Sequence, residues 1–567
     1  MKEHRILCLL SFAAGLFVTS SAARGQELVV EVSQLAASAK HGLILEVGCE
    51  GQGELALALA RAIPSYRVYA ASWDDARVEA ARRKIDDAGL YGRVAVNHAG
   101  DDGLPFPDKC MNILLCAVGE MKGQGRLQEC LRVLRPGGTA ILHGEVNTDE
   151  LRKLLRQVSE THSLNYELIP GKTVKVKKGE TAGAGEWSQV HGDATNRRVG
   201  DDRLLAPPLK VAWMRDYWKE VPGEIHCKFA HGGAIANQNV LVFSDGNNRS
   251  QLMVVDSYNG ITLWKHKDCP IRILAGEKLY LADGGQIFVW NALRGEQEEC
   301  YKLPADAKGP LLSLRYADRT LFGLTAGDGN GFTAFALEAA TGKALWAFQA
   351  TGPAPSNAYE GRGLCVGDQR VFFANKAGKL WALQSANGKE LWSNEVATGK
   401  HFKLFLAEGR LYFVSLDNTK SSVRTMDPKD GREIWDISIS GFSIMPVVVF
   451  DGVAFLSDTG FKLRTFDTAT GRELYRTNPS LQGWGCNDSS AANGYVIRRC
   501  FALVLFSGRE KSYQVYPSVC PSCFGTIVAN GMLYAFRPGV YALSGGGTAP
   551  GIRNPQCTIQ ESKGEGK

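Results

Sequence analysis

The sequence predicts a multidomain chain, with an α/β Rossmann-like domain followed by an all-β propeller of eight blades, seven being the alternative count. Two observations carry this expectation. First, a buried-strand run over residues 43–47 opens into the glycine-rich loop Gly48-Cys49-Glu50-Gly51-Gln52-Gly53, and residues 55–62 then have helical composition. A strand, a glycine loop and a helix begin a nucleotide-binding βαβ unit. Second, glycines at 260, 295, 342, 388, 431 and 471 recur at intervals of 35, 47, 46, 43 and 40 residues. All but Gly295 are followed four positions later by an aromatic residue: Trp264, Trp346, Trp392, Trp435 and Tyr475. A period near forty with a strand–turn–strand signature is how propeller blades read.

At the N-terminus, Lys2, His4 and Arg5 precede an apolar run over residues 6–18, and Ser21-Ala22-Ala23 supplies small residues for cleavage. This pattern reads as a signal peptide over residues 1–23 and predicts export to the periplasm or cell envelope. The run is too short for a membrane span. No later segment is apolar enough for one, so the mature chain is expected to have no transmembrane segment.

Residues 28–160 form the α/β domain in this reading. RVYAAS (67–72) is a second strand and residues 75–88 an amphipathic helix. AGDDGLPFPD (99–108) precedes a strand at 112–117, and LRVLRPGG (131–138) ends a helix ahead of a strand at 139–143. The phrases LPFPD and RVLRPGG, in this order of elements, resemble the class I S-adenosylmethionine-dependent methyltransferases. That resemblance implies S-adenosylmethionine as cofactor, with Glu46 and Gly48 against its methionine end and Asp101 reaching its adenine amine. The backbone from Gly48 through Gly51 to Gly53 would approach it closely.

Two positions depart from the family pattern. The usual loop is E-x-G-x-G-x-G, whereas here Glu50 and Gly51 are offset as if by one inserted residue. Where the family places an acid on the ribose hydroxyls, this chain has Ser72, with Asp74 two residues on. A serine cannot accept bidentately as a carboxylate does. The expectation is a degenerate methyltransferase-like domain; the alternative is an active methyltransferase whose propeller selects the substrate.

Residues 161–186 read as a linker. The basic run 172–178 is taken as solvated, and residues 172–185 as a flexible tether.

The propeller is expected over 187–545. Its clearest copy has short β-rich runs at 363–366, 370–374, 379–383 and 389–393, separated by turns at Gly367-Asp368, 375–378 and 385–388. Glycine suits the third turn because a left-handed φ is cheap without a Cβ. An acceptor four residues earlier (Asp256, Asn291, Glu338, Gln384, Asp427, Asp467) can bond the turn's free N–H groups. The indole on the last strand is expected to fill the wedge between blades while its N–H finds a partner. In the copy at Gly295 the aromatic is replaced by Glu299. LKVAWM (209–214) reads as the closing strand of the last blade, whose other strands lie at 524–528, 532–536 and 540–543.

The phrases TGKALW, NGKELW, DGREIW and TGRELY resemble the repeats of the quinoprotein-like (PQQ-like) propellers. The resemblance implies a protein or polymer partner at the propeller face. The quinoprotein dehydrogenases of that superfamily use a vicinal Cys-Cys pair and an Asp base near calcium. This chain has no adjacent cysteines and no assignable base, so PQQ is not the expected cofactor.

A net charge of +6 over 567 residues, without basic clusters interleaved with aromatics, does not point to nucleic acid. Cys49, Cys110, Cys116 and Cys130 read as buried thiols, and Cys486, Cys500, Cys520 and Cys523 as candidates for disulfides. No metal is expected: Cys520-Pro-Ser-Cys523 lacks a second Cys or His pair, and His226, Cys227 and His231 read as propeller-tip residues. Trp484 and Cys486 read as residues of a funnel mouth, and residues 546–567 as a polar tail.

Overall fold

The computed structural model describes residues 23–101, 103–120, 124–144, 149, 151–153, 155–157, 164–169, 173–215, 217, 233–244, 251–327, 331–355, 363–396, 401–416, 420–440, 447–457, 463–478, 489–499, 503–507, 512–516, 526–536, 540–545, 552–553 and 558–561. Residues 1–22 of the expected signal peptide (1–23) lie outside them, as do His226, Cys227, His231, Trp484, Cys486, Cys500, Cys520 and Cys523. The chain divides into two compact units between Ala182 and Gly183.

The first unit is built on a seven-stranded sheet. Its strands are β1 (Gly42–Val47), β2 (Tyr66–Ser72), β3 (Val94–His98), β4 (Met111–Ala117), β5 (Leu134–His143), β6 (Leu164–Ile169) and β7 (Val174–Thr181), in the order β3-β2-β1-β4-β5-β7-β6. The first five run parallel, and β7 is antiparallel to both its neighbours. All six residues of β1 are buried, as a central parallel strand requires. Helices α1 (23–36), α2 (Glu54–Ala62) and α3 (Asp75–Asp87) cover one face through Val32, Leu59 and Val78. The other face takes Leu127 and Leu131 of α4 (Gln124–Val133). Cys49, Cys110, Cys116 and Cys130 are buried free thiols.

The tether expected over 172–185 is largely a strand. Val174 and Val176 alternate into the core while Lys175 and Lys177 turn outward, the period-two pattern of a half-buried strand. Lys178, read as solvated, is buried, and its Nζ donates to the carbonyls of Leu131 (2.5 Å) and Leu134 (2.6 Å) where α4 passes into β5. Cations suit a helix C-terminus. Strand β3 was not anticipated either, because Val94-Ala95-Val96-Asn97-His98 is short.

The second unit contains eight four-stranded blades. The first strands of the blades are Ile235–Ala236, Ile271–Ala275, Leu311–Ala317, Leu364–Gly367, His401–Ala407, Val448–Phe450, Ser490–Ala492 and Ile527–Ala529. From blade seven round to blade five, consecutive first strands contact one another and form the inner ring. Blade eight (Ile527–Ala529, Met532–Phe536, Val540–Gly545) is completed by Leu209–Arg215, pairing Ala542 with Trp213, so the two ends of the propeller segment share one sheet. The polar tail is not wholly irregular. Ile552–Arg553 and Thr558–Glu561 add a fifth strand to blades seven and six.

The recurring glycine and aromatic form one device. Each turn glycine has φ between 67° and 72°, and its N–H bonds the carbonyl four residues back, as in Gly260 to Asp256 (2.9 Å). Four of the six expected acceptors bond turn N–H groups: Asp256 takes Tyr258 N–H, Asn291 takes Leu293 N–H, Asp427 takes Lys429 N–H and Asp467 takes Thr470 N–H, whereas Glu338 takes the Thr341 hydroxyl. Each indole reaches into the next blade's turn. Nε1 of Trp213, Trp264, Trp346, Trp392 and Trp435 donates to Ser257, Ala292, Ser385, Pro428 and Thr468 carbonyls at 2.7–3.1 Å. The glycine of that turn lies on the indole face, where a side chain would clash.

An arm ahead of the closing strand encircles the axis. Gly185 accepts from Asn530 of blade eight, and Trp187 exchanges backbone bonds with Ala236 of blade one. Ser188 accepts from Leu274 of blade two, and Gln189 holds Tyr316 of blade three through its amide. Ala194 and Thr195 accept from Val366 of blade four and Leu406 of blade five. Arg198 accepts from Ala491 of blade seven, and Asp202 takes Gly531 N–H of blade eight (2.6 Å). Asp202 also accepts from Gly185 N–H (3.0 Å), which closes the circuit. At seven of the eight blades the arm thus supplies hydrogen-bond partners to backbone groups at or beside the inner strand.

Candidate functional site

In parallel α/β sheets ligands bind beyond the carboxyl ends of the strands, and the predicted site residues lie there. The chain leaves β1 through Gly48 (φ 125°), Cys49 (φ 50°), a 3-10 turn at Glu50–Gln52, and Gly53 (φ 90°). This conformation brings α2 against α3: a Cβ on Gly53 would stand 3.0 Å from that of Ala81. Glu46, at the end of β1, is buried. Its Oε1 accepts Glu50 N–H (3.0 Å), while Oε2 is buried without a hydrogen-bond partner among the described residues. Burial pushes the Glu46 carboxyl up to about 8, with Glu50 and Glu120 adding repulsion.

Three residues at this site were not anticipated. Glu120, just after β4, lays its side chain over the loop, and its Cγ would be 2.9 Å from a Cβ on Gly48. Arg77 of α3 fixes it there, with Nη1 at 2.6 Å from Glu120 Oε1 and 3.3 Å from the Gly48 carbonyl. His143, at the end of β5, is buried 3.9 Å from Glu50, and that burial lowers its pKa. His143 closes β5 and Glu120 stands in the turn just beyond β4, both at the ligand-side end of the sheet, a position that could have marked them from the sequence.

Ser72 ends β2 beside the loop, where Gly48 N–H bonds the Ala71 carbonyl (2.8 Å). It is fully buried, and its Oγ accepts Asp74 N–H (3.1 Å). Asp74 in turn caps α3 by accepting Arg77 N–H (3.1 Å). Asp101 stands exposed in the turn beyond β3. The structure thus gathers Glu46, Gly48, Gly51, Gly53 and Ser72 around one loop and leaves Asp101 at the neighbouring strand end.

The glycine loop could admit a ligand backbone-close, and the side chains around it are bonded to one another. Ser72 Oγ is bonded to the start of α3, whose cap, Asp74, lies two residues on with its carboxylate half-exposed. A carboxylate held by Arg77 covers Gly48. Burial pushes the Cys49 thiol up to about 12, so it stays protonated at neutral pH. Among the described residues no cluster of His, Cys, Asp and Glu is arranged to hold a metal ion. No helix among them is long and apolar enough to cross a membrane.

Comparison with known proteins agrees with the two architectures. Residues 248–415 and 332–477 match the family described as "Outer membrane protein assembly factor BamB", and residues 44–138 the family described as "Methyltransferase domain". The ubiquinone/menaquinone biosynthesis C-methyltransferase UbiE of Geobacter sulfurreducens is 33% identical over 106 residues, covering 18% of this chain and 41% of that protein. The outer membrane protein assembly factor BamB of Moranella endobia is 29% identical over 123 residues, covering 20% of this chain and 31% of that protein. The chain therefore spans less than half the length of each of these relatives. The crystal structure of BamB from Moraxella catarrhalis superposes with a TM-score of 0.41 at 14% identity, over 56% of this chain and 96% of that one. The chain joins an N-terminal methyltransferase-type α/β domain to an eight-bladed PQQ-like propeller.

Proposed function

We propose that this is an exported envelope protein whose propeller is a binding scaffold for a protein or polymer partner. Its α/β domain keeps the methyltransferase framework without the activity. The observation that carries the second part is the Arg77–Glu120 pair laid over Gly48, beside a Ser72 that is buried and already bonded. The scaffold reading is supported by the propeller repeat and by its match to a family named for outer-membrane protein assembly. Export rests on the basic start, the apolar run and Ser21-Ala22-Ala23. A quinone-dependent dehydrogenase is disfavoured by the arm that occupies the inner ring of the propeller.

The second reading is an active methyltransferase with the propeller selecting its substrate. The left-handed glycine loop and the resemblance to a C-methyltransferase favour it. Calorimetric titration of the full chain with S-adenosylmethionine separates the two. The scaffold reading expects no binding up to about 1 mM, an affinity no better than roughly −4 kcal/mol. Micromolar binding would put the methyltransferase reading first. N-terminal sequencing of protein from its host is expected to start near Arg24, and an intact Met1 would refute export by this leader.

A further inference from the structure

We infer that the outer edge of blade three is a self-association surface, which takes the same edge of a second copy of this chain. An outer strand offers unpaired N–H and C=O groups to any extended segment, and proteins guard such edges with charges, prolines or a covering strand. The outer strands of blades one, two, four, five and eight (Thr262–Lys267, Gln297–Lys302, Glu390–Glu395, Glu433–Ser440 and Leu209–Arg215) each hold two or more charged residues. Those of blades six and seven, Glu473–Asn478 and Ser512–Tyr516, pair with the tail strands Thr558–Glu561 and Ile552–Arg553. On blade seven the tail covers a strand that carries no charge. Blade three has neither protection. Its outer strand, Ala344–Thr351, reads Ala-Leu-Trp-Ala-Phe-Gln-Ala-Thr, without a charge or a proline. Among the described residues no strand pairs with its outer side.

The strand is regular enough to extend the sheet. Past the irregularity at Ala336–Leu337, Trp346 to Thr351 keep step with Ala336 to Gly331 without a break. Leu345 is 48% exposed, and Ala344, Ala347, Gln349 and Thr351 also face solvent. Leu391, at the equivalent place in blade four, is exposed as well. Charge singles out a second copy as the occupant. Two identical strands paired about a two-fold axis run antiparallel, so each end of one meets the opposite end of the other. On blade four this would turn Glu390 of one copy toward Glu395 of the other, and on blade eight Lys210 toward Arg215. Like charges set opposite each other destabilise a strand pair. On blade three no register opposes charge to charge, and every step gains backbone hydrogen bonds and apolar contact. Eight residues a side make a small interface, so the dimer forms and parts reversibly.

Sedimentation velocity of the full chain from about 1 to 200 µM tests the edge, in the range where small interfaces associate. The expected result is a reversible monomer–dimer equilibrium, with amide exchange over residues 344–351 slower in the dimer than in the monomer. Ala347 stands near the middle of the strand and so beside its own copy in a two-fold pairing. Ala347→Lys and Ala347→Glu should each weaken dimerisation by about tenfold or more, because like charges then meet across the axis. An equimolar mixture of the two variants should regain the dimer, a recovery that misfolded chains could not give. A wild-type chain that stays monomeric throughout overturns the proposal and leaves the edge to a strand from another protein. A dimer that survives both substitutions, or one that leaves exchange over 344–351 unchanged, overturns it too. So does a mixture that stays monomeric or an assembly that grows past the dimer.

Discussion

The phenol ring of Tyr301 is the seat of Gly342: a Cβ on that glycine would lie 2.4 Å from the ring carbon Cδ1. The Tyr301 hydroxyl donates to the carbonyls of Ala339 (3.1 Å) and Ala340 (3.0 Å) in the same turn. Blade two therefore locks to blade three as its neighbours do, with tyrosine in place of tryptophan.

Gly342→Ala is expected to cost about 2–5 kcal/mol, combining the left-handed penalty with overpacking against the ring. Gly276→Ala is the control, since Gly276 has φ 60° but nothing within 4 Å of its would-be Cβ. It should lose only about 1–2 kcal/mol. Denaturant melts giving equal losses at the two positions would mean that Gly342 is not seated on Tyr301.

Among the interblade indoles the losses should follow burial. Trp435 is 8% exposed, so Trp435→Ala should cost about 3–5 kcal/mol. Trp392 is only half-buried and should cost less, although its N–H also bonds across to Pro428. Urea midpoints for the two variants decide the order.

Glu46→Gln should change the pH dependence of stability. The folded-state pKa, raised to about 8, lies above that of the unfolded chain, so the folded state holds the extra proton between about pH 4.5 and 8. Its stabilising effect is full below pH 4.5 and is lost as pH rises through 8. The glutamine variant should gain on the wild type over that window. The gain would be at most about 4–5 kcal/mol, because each tenfold change in proton affinity is worth about 1.4 kcal/mol. Parallel stability curves for the two proteins from pH 4 to 9 would contradict the assignment.

Ser72→Asp restores the residue type the family uses, yet it should not create cofactor affinity. The side chain is enclosed, and its hydroxyl serves the N–H of Asp74. A carboxylate placed there loses water without gaining a cation, so a stability loss of roughly 1–3 kcal/mol is expected. Calorimetry showing new S-adenosylmethionine binding would mean that position 72 opens toward the loop.

The repeat was legible because three local requirements coincide at fixed spacing: a left-handed glycine, an acceptor before it and an indole after it. Blade two breaks the spacing at Glu299, and Tyr301 escaped notice because it stands two positions further on. Side chains on a strand alternate, so a step of two keeps the same face. The pairing of Ile287 with Tyr301 and of Val289 with Glu299 shows that step directly. The glycine loop and Glu46 were visible from their place after β1, whereas the Arg77–Glu120 pair spans 43 residues and leaves no local trace. Lys178 misled for a different reason: a lysine in a basic run signals solvent unless the alternation of Val174 and Val176 is weighed first.

The arm around the axis has a consequence for how the propeller is made. Asp202 must wait for Gly531, 329 residues later, before its circuit can close, and the strand Leu209–Arg215 must wait for Val540–Gly545. Contacts so distant in sequence slow folding. The first part of the propeller to leave the ribosome is thus the last to be fixed in place. Until the C-terminal blades arrive, the indole of Trp187, fully enclosed in the finished protein, has nowhere to go. For the length of its synthesis the chain carries an exposed tryptophan and the unpaired strand Leu209–Arg215, a condition that favours aggregation and reliance on chaperones.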